Sequence, residues 1–137
     1  MPHLFIDPPE LPQVDLYHQV SVAAPGRLVH VAGQVAVDAH GQVVGEDDLA
    51  AQTEQCYLNL AAALAAAGAT FDDVVKVTVY LVDWTPGKLA SYLDGVNRAA
   101  ERLGSDSLLQ APLTGIGVAA LANPSLLVEV EVVAVVE

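Results

Sequence analysis

Two carboxylates, Glu129 and Glu131, stand two residues apart in the alternating apolar run Leu126 to Val136, so both project from one face of a strand. A carboxylate held there can orient a water or bind a ligand, or it can rest solvated or paired with Lys76. Thr114 has a hydroxyl that can donate to a ligand, although threonine is also an ordinary strand residue. The single cysteine, Cys56, excludes an internal disulfide, and its apolar helical surroundings read as packing rather than chemistry. The histidines make no metal constellation: His3 lies near the start, His40 in a turn, and a strand reversal separates His18 from His30. No metal is expected, and no Gly-rich phosphate loop or Ser-His-Asp set is present.

Charge narrows the partners. The chain carries 17 acidic residues against five basic ones, a formal net charge of −12, and such a surface repels phosphate backbones. Nucleic-acid binding is disfavoured. Hydrophobic residues make up 53% of the chain and charged ones only 16%, against a usual share of about 25%. That is more apolar surface than one small core needs, and it points to subunit interfaces. No apolar run approaches the roughly 20 residues of a spanning helix. The segment MPHLFIDPPELPQVD lacks a basic start and an apolar signal core, and its prolines oppose a helix. Residues 1–15 read as an extended arm on a single domain, 1–137, of cytoplasmic type.

The elements that must position these groups follow from period. Val20 to Ala24 and Leu28 to Ala32 flank Pro25-Gly26 and suggest a hairpin. Val35 to Val37 and Val43-Val44 flank a second turn containing Gly41, which suggests a third strand. Leu49, Thr53, Cys56, Leu60, Leu64 and Ala67 recur every three or four residues, a helical stripe over about Asp48 to Ala67, capped by Asp47 or Asp48 and closed at Gly68. Val74 to Val82 alternates, with Val75, Val77, Val79 and Leu81 on one face and Lys76, Thr78 and Tyr80 on the other. Thr85-Pro86 opens a second helix, to about Leu103, and strands Leu113 to Leu121 and Leu126 to Val136 end the chain. The order is β-β-β-α-β-α-β-β, an α/β domain in which two helices cover one sheet face and nothing covers the other. Val133 and Val135 on that bare face imply a partner subunit.

The segments Tyr17-His18-Gln19, Val29 to Gln34, Gln52-Thr53, Asn59-Leu60, Ala66-Ala67-Gly68, Val74 to Tyr80 and Val128 to Glu131 resemble the Rid (reactive intermediate deaminase, YjgF) family, from about residue 15 to the C-terminus. The resemblance implies a chorismate-mutase-like fold, a homotrimer and ligand clefts between neighbouring subunits. It also implies hydrolysis of enamines and imines to a 2-keto acid and ammonia, without metal or organic cofactor. Tyr17 matches the family's cleft tyrosine, Gly33 the glycine whose backbone approaches the ligand, and Glu129 the acid that positions water. Each also fits a plainer role: an interface plug, close backbone packing, a solvated carboxylate. The family arginine that clamps a carboxylate falls in Pro112 to Ile116, where its position holds Leu113. Leucine offers nothing of a guanidinium's bidentate grip. Ordinary deamination is therefore doubtful, and two readings stand: a Rid-type hydrolase of a small carbonyl or imine-type metabolite, or a non-catalytic binding or regulatory trimer. A ribonuclease fits poorly with the acidic charge.

Overall fold

In the computed structural model, which describes residues 3–137, alternating stretches are strands and the two stripes are helices. The elements run β1 (Leu4–Ile6), β2 (Val20–Val22), β3 (Arg27–Val35), α1 (Leu49–Ala66), β4 (Val74–Val82), α2 (Leu89–Leu103), β5 (Leu113–Val118) and β6 (Val128–Val136). Single 3-10 turns, Phe71–Asp73 and Pro86–Lys88, lead into β4 and α2. The order of strands and helices is the expected one, but its first strand, β1, lies inside the expected arm, and the expected third strand over Val35 to Val44 is reduced to the end of β3 and an isolated bridge. Met1 and Pro2, the first residues of the expected arm, lie outside the described residues.

A four-stranded mixed sheet has the order β3-β6-β4-β5, with β4 and β5 parallel and the other neighbours antiparallel. Val77, Val79 and Leu81 of β4 and Val128, Val130, Val132 and Ala134 of β6 are buried beneath the helices, as alternation requires. Burying each valine contributes roughly 1.5–3 kcal/mol. The helices approach closely because Gly95 has no side chain: an added Cβ would overlap the Ala50 carbonyl and Thr53 Cβ. Tyr57 and Tyr92, both buried, join their hydroxyls at 2.5 Å between α1 and α2. Asp48 caps α1 by accepting from the Ala51 N–H at 3.0 Å, while Gly68 and Gly104 take the left-handed φ values, 75° and 62°, that end the two helices. Among the described residues no helix is long and apolar enough to cross a membrane.

Strand partners differ from the expectation at three places. The Pro25-Gly26 hairpin does not form: β2 pairs back with β1 in a separate two-stranded sheet, and β3 pairs with β6. A Pro-Gly pair interrupts a strand without deciding which neighbour each half takes, and here Gly26 abuts the Val136 carbonyl, where β3 enters alongside β6. Val35 belongs to β3, and the turn after it is closed by the isolated Val37–Val43 bridge and by Asp38, whose carboxylate accepts from the His40 and Gln42 N–H groups. A register shift between Val74 and Lys76 puts Val74, rather than Val75, among the buried residues. The extra residue breaks the alternation.

Gln52 ties α1 to the sheet's entry. Its buried amide donates to the Gly45 and Ser125 carbonyls at 3.1 and 2.9 Å and accepts from the Leu127 N–H at 2.8 Å. Asn59 likewise donates to the carbonyls of Val35 and Val37, at 3.0 and 2.9 Å.

Candidate functional site

The start of β5 is the best furnished part of the molecule. Parallel pairing sets Leu113 beside Val77 and Thr114 beside Thr78. Leu113 therefore leans toward the helices and packs on the core, and Thr114 takes the opposite, bare face. There Lys76, one pair along β4, donates from Nζ to Thr114 Oγ1 at 2.6 Å. Partial burial holds the Lys76 ammonium below its usual pKa.

The segment carrying Tyr17 is fastened beside these residues. The His18 N–H donates to the Gln110 carbonyl at 3.1 Å, just before β5. Asp7 Oδ2 lies 2.7 Å from His18 Nδ1, Asp7 Oδ1 accepts from the Gln19 N–H at 2.8 Å, and Phe5 stacks on His18 with centroids 4.8 Å apart. The His18 hydrogen bond, followed by the Gln19 N–H, holds the Asp7 carboxyl below its ordinary value. The proline-rich arm is thus the clamp that sets Tyr17 in place.

Two adjoining clefts result. A polar one of about 420 Å³ is lined by Tyr17, His18, Gln19, Lys76, Leu113 and Thr114, among others. An apolar one of about 200 Å³ runs along the other side of β5, against Leu16, Trp84, Leu89 and Ile116. Tyr17, Leu113 and Gly115 line both.

Gly33 and Glu129 make a second pair. Gly33 falls in the register shift of β3 between Val31 and Gln34, and a Cβ there would overlap the Glu129 carboxylate. Glycine is needed because the carboxylate occupies the space a side chain would take. Glu131, one pair along, accepts from the Tyr80 hydroxyl at 2.5 Å, and that bond is the chief cause that raises the Tyr80 phenol's pKa.

The structure brings Tyr17, Leu113 and Thr114 together, and Gly33 together with Glu129. It does not unite the two groups within one chain, because β4 lies between β5 and β6. Lys76, His18 and Gln19 are the polar side chains of the polar cleft that were not among the candidates. Alternation along β4 placed Lys76 on the bare face, but only the parallel register brings it to Thr114. Cys56 is fully buried, its Sγ faces the Val128 carbonyl at 3.6 Å, and burial pushes the thiol up to about 12, which removes it as a nucleophile.

Residues 10–136 match the family model described as endoribonuclease L-PSP. Curated relatives include a RutC family protein of Pyrococcus abyssi, 43% identical over 58 residues that make up 42% of this chain and 46% of that protein. The RutC family protein YjgH of Escherichia coli is 42% identical over 67 residues, 48% of this chain and 50% of that one. These matches span about half the length of the relatives. Among solved structures, a Rid family protein of unknown function from Yersinia pestis superposes with a TM-score of 0.87 at 38% identity, covering 99% of this chain and 100% of that one. A YjgF/YER057c/UK114 family member from Mycobacterium tuberculosis gives 0.60 at 31% identity, over 82% of each chain.

Proposed function

The chain belongs to the endoribonuclease L-PSP family, which here means the Rid and YjgF proteins, and from that premise we propose that it acts on or binds a small carbonyl or imine-type metabolite in clefts between the subunits of a homotrimer. Membership supports a small-molecule-binding or deaminase-type protein. The observation that carries the finer reading is the Gly33–Glu129 pair: a strand irregularity and a missing side chain leave a carboxylate seated on the bare face. In a hydrolysis Glu129 orients a water that adds to the C=N carbon, after which ammonia leaves and a carbonyl remains. Tyr17, Leu113 and Thr114 of a neighbouring subunit would form the facing wall. The charge of −12 argues against nucleic acid as the ligand.

Leu113 separates this chain from an ordinary deaminase of the family. Its side chain packs on the core, and the residue beside it on the bare face is a threonine. Hydrolysis of 2-aminoacrylate should be negligible, measured by coupling a dehydratase to keto-acid release. Acceleration equal to that of an arginine-bearing relative would refute this. Leu113→Arg and Thr114→Arg both test the missing grip, since both residues line the polar cleft. The Thr114→Arg protein should bind small keto acids more tightly through a bidentate pair, by roughly 1.5–3 kcal/mol. Glu129→Gln should remove hydrolysis and leave assembly intact.

The alternative is a non-catalytic binding or regulatory trimer. The apolar cleft beside Leu113 favours it, since that space holds a ligand's hydrocarbon part without contributing chemistry. Any carbonyl compound that binds but is never turned over would decide for it.

A further inference from the structure

We propose that Lys76 and Thr114 grip a carboxylate of the ligand while the adjoining apolar cleft takes its substituent, so that among small carbonyl or imine-type compounds this chain selects acids with a bulky apolar side chain. The inference rests on the small-carbonyl reading above and names its substrate class. Three observations carry it. Lys76 Nζ donates to the Thr114 hydroxyl, so that hydroxyl still has its own proton to give, and the ammonium has N–H groups beyond the one it spends on Thr114. Hydroxyl and ammonium together present donors on one spot, which suits an anion.

The cleft around them contains no carboxylate among its lining residues, although the chain has 17 acidic residues. A negatively charged group entering there meets a cation and neutral donors without like-charge neighbours in the wall. Lys76 is also partly desolvated, so its charge is less screened than on an open surface.

The third observation is continuity. The polar cleft shares Tyr17, Leu113 and Gly115 with the apolar one, so a molecule anchored at Lys76 passes directly around Leu113 to Trp84 and Leu89. At about 30 Å³ per liquid water, the apolar cleft of about 200 Å³ has room for a branched aliphatic or aromatic group, and a methyl leaves most of it empty. This explains how a chain with Leu113 can hold a carboxylate and still neglect 2-aminoacrylate. An ammonium is a point charge without the fork of a guanidinium, so the apolar contact must supply the remainder.

The test is calorimetric titration of the assembled protein with 4-methyl-2-oxopentanoate, pyruvate and the neutral 4-methylpentan-2-one. The branched acid should bind at least about tenfold tighter than either of the others. Lys76→Met should weaken the branched acid by about tenfold and leave the neutral ketone unchanged, with Lys76→Arg restoring the acid. A Cβ on Gly115 meets nothing within 4 Å, so Gly115→Val, with folding checked by circular dichroism, should abolish the preference of the branched acid over pyruvate. Thr114→Val provides a second loss variant should Lys76→Met fail to fold by circular dichroism. Equal binding of acid and neutral ketone, or wild-type affinity in Lys76→Met, overturns the carboxylate grip and leaves the small-carbonyl reading standing. Equal binding of pyruvate and the branched acid overturns the apolar subsite. Absence of binding by all three overturns the small-carbonyl reading itself.

Discussion

Gly33 is defined by its neighbour's charge. Because an added Cβ falls on the Glu129 carboxylate, the far end of a flexible side chain, Gly33→Ala should fold but displace that carboxylate, costing about 1–2 kcal/mol. In a Glu129→Ala background most of the penalty should vanish, a coupling that urea denaturation of the four proteins in a double-mutant cycle will read. Asp7 offers a second test. Its folded pKa lies below the ordinary 3.8, so its contribution is present above that value and is lost as pH falls through the folded one. Amide protection of β1 and β2, corrected for intrinsic exchange, should therefore drop on acidification before the four-stranded sheet is affected, and Asp7→Asn should show the loss already at neutral pH. Residue types and family blocks identified Tyr17, Gly33, Thr114 and Glu129 as candidates. They gave no sign of Lys76 reaching Thr114, because that contact depends on the register between two strands separated by an entire helix.

At the scale of elements, helices were legible and strand partners were not. A helix satisfies its backbone within itself, so the stripes at Leu60 and Val96 and the glycines at 68 and 104 suffice to place it. A strand's partner is chosen by packing elsewhere, which is why the apolar runs on either side of Pro25-Gly26 looked like a hairpin and paired with β1 and β6 instead. The shift near Val75 was hidden for the same reason, since an extra residue has no signature in a valine-rich run. Gln52 marks where an element-level requirement is met by one side chain. Gln52→Met keeps the volume but strands the Gly45 and Ser125 carbonyls and the Leu127 N–H, and should destabilise by roughly 3 kcal/mol in chemical denaturation. An effect near zero would mean that water replaces all three bonds.

For the molecule as a whole, the bare sheet face carries Val133 and Val135 beside polar groups, and Leu28 on β3 is 61% exposed. A homotrimer covering that face should scatter light with a mass near three times 14.2 kDa, and a stable monomer at micromolar concentration would remove both the assembly and the shared clefts. The strand order β3-β6-β4-β5 has a further outcome, for the order in which a ribosome releases these segments. β6 is made after every other strand yet sits between β3 and β4, so a nascent chain holding β3, α1, β4, α2 and β5 has two long strand edges and an apolar helix face with nothing between them. The four-stranded sheet cannot close until Val128 to Val136 emerge, although β4 and β5 can already pair with each other. A chain stalled at Leu121 should remain fully protease-sensitive on the ribosome, whereas one extended past Glu137 by a tunnel-length linker should become resistant in a single step.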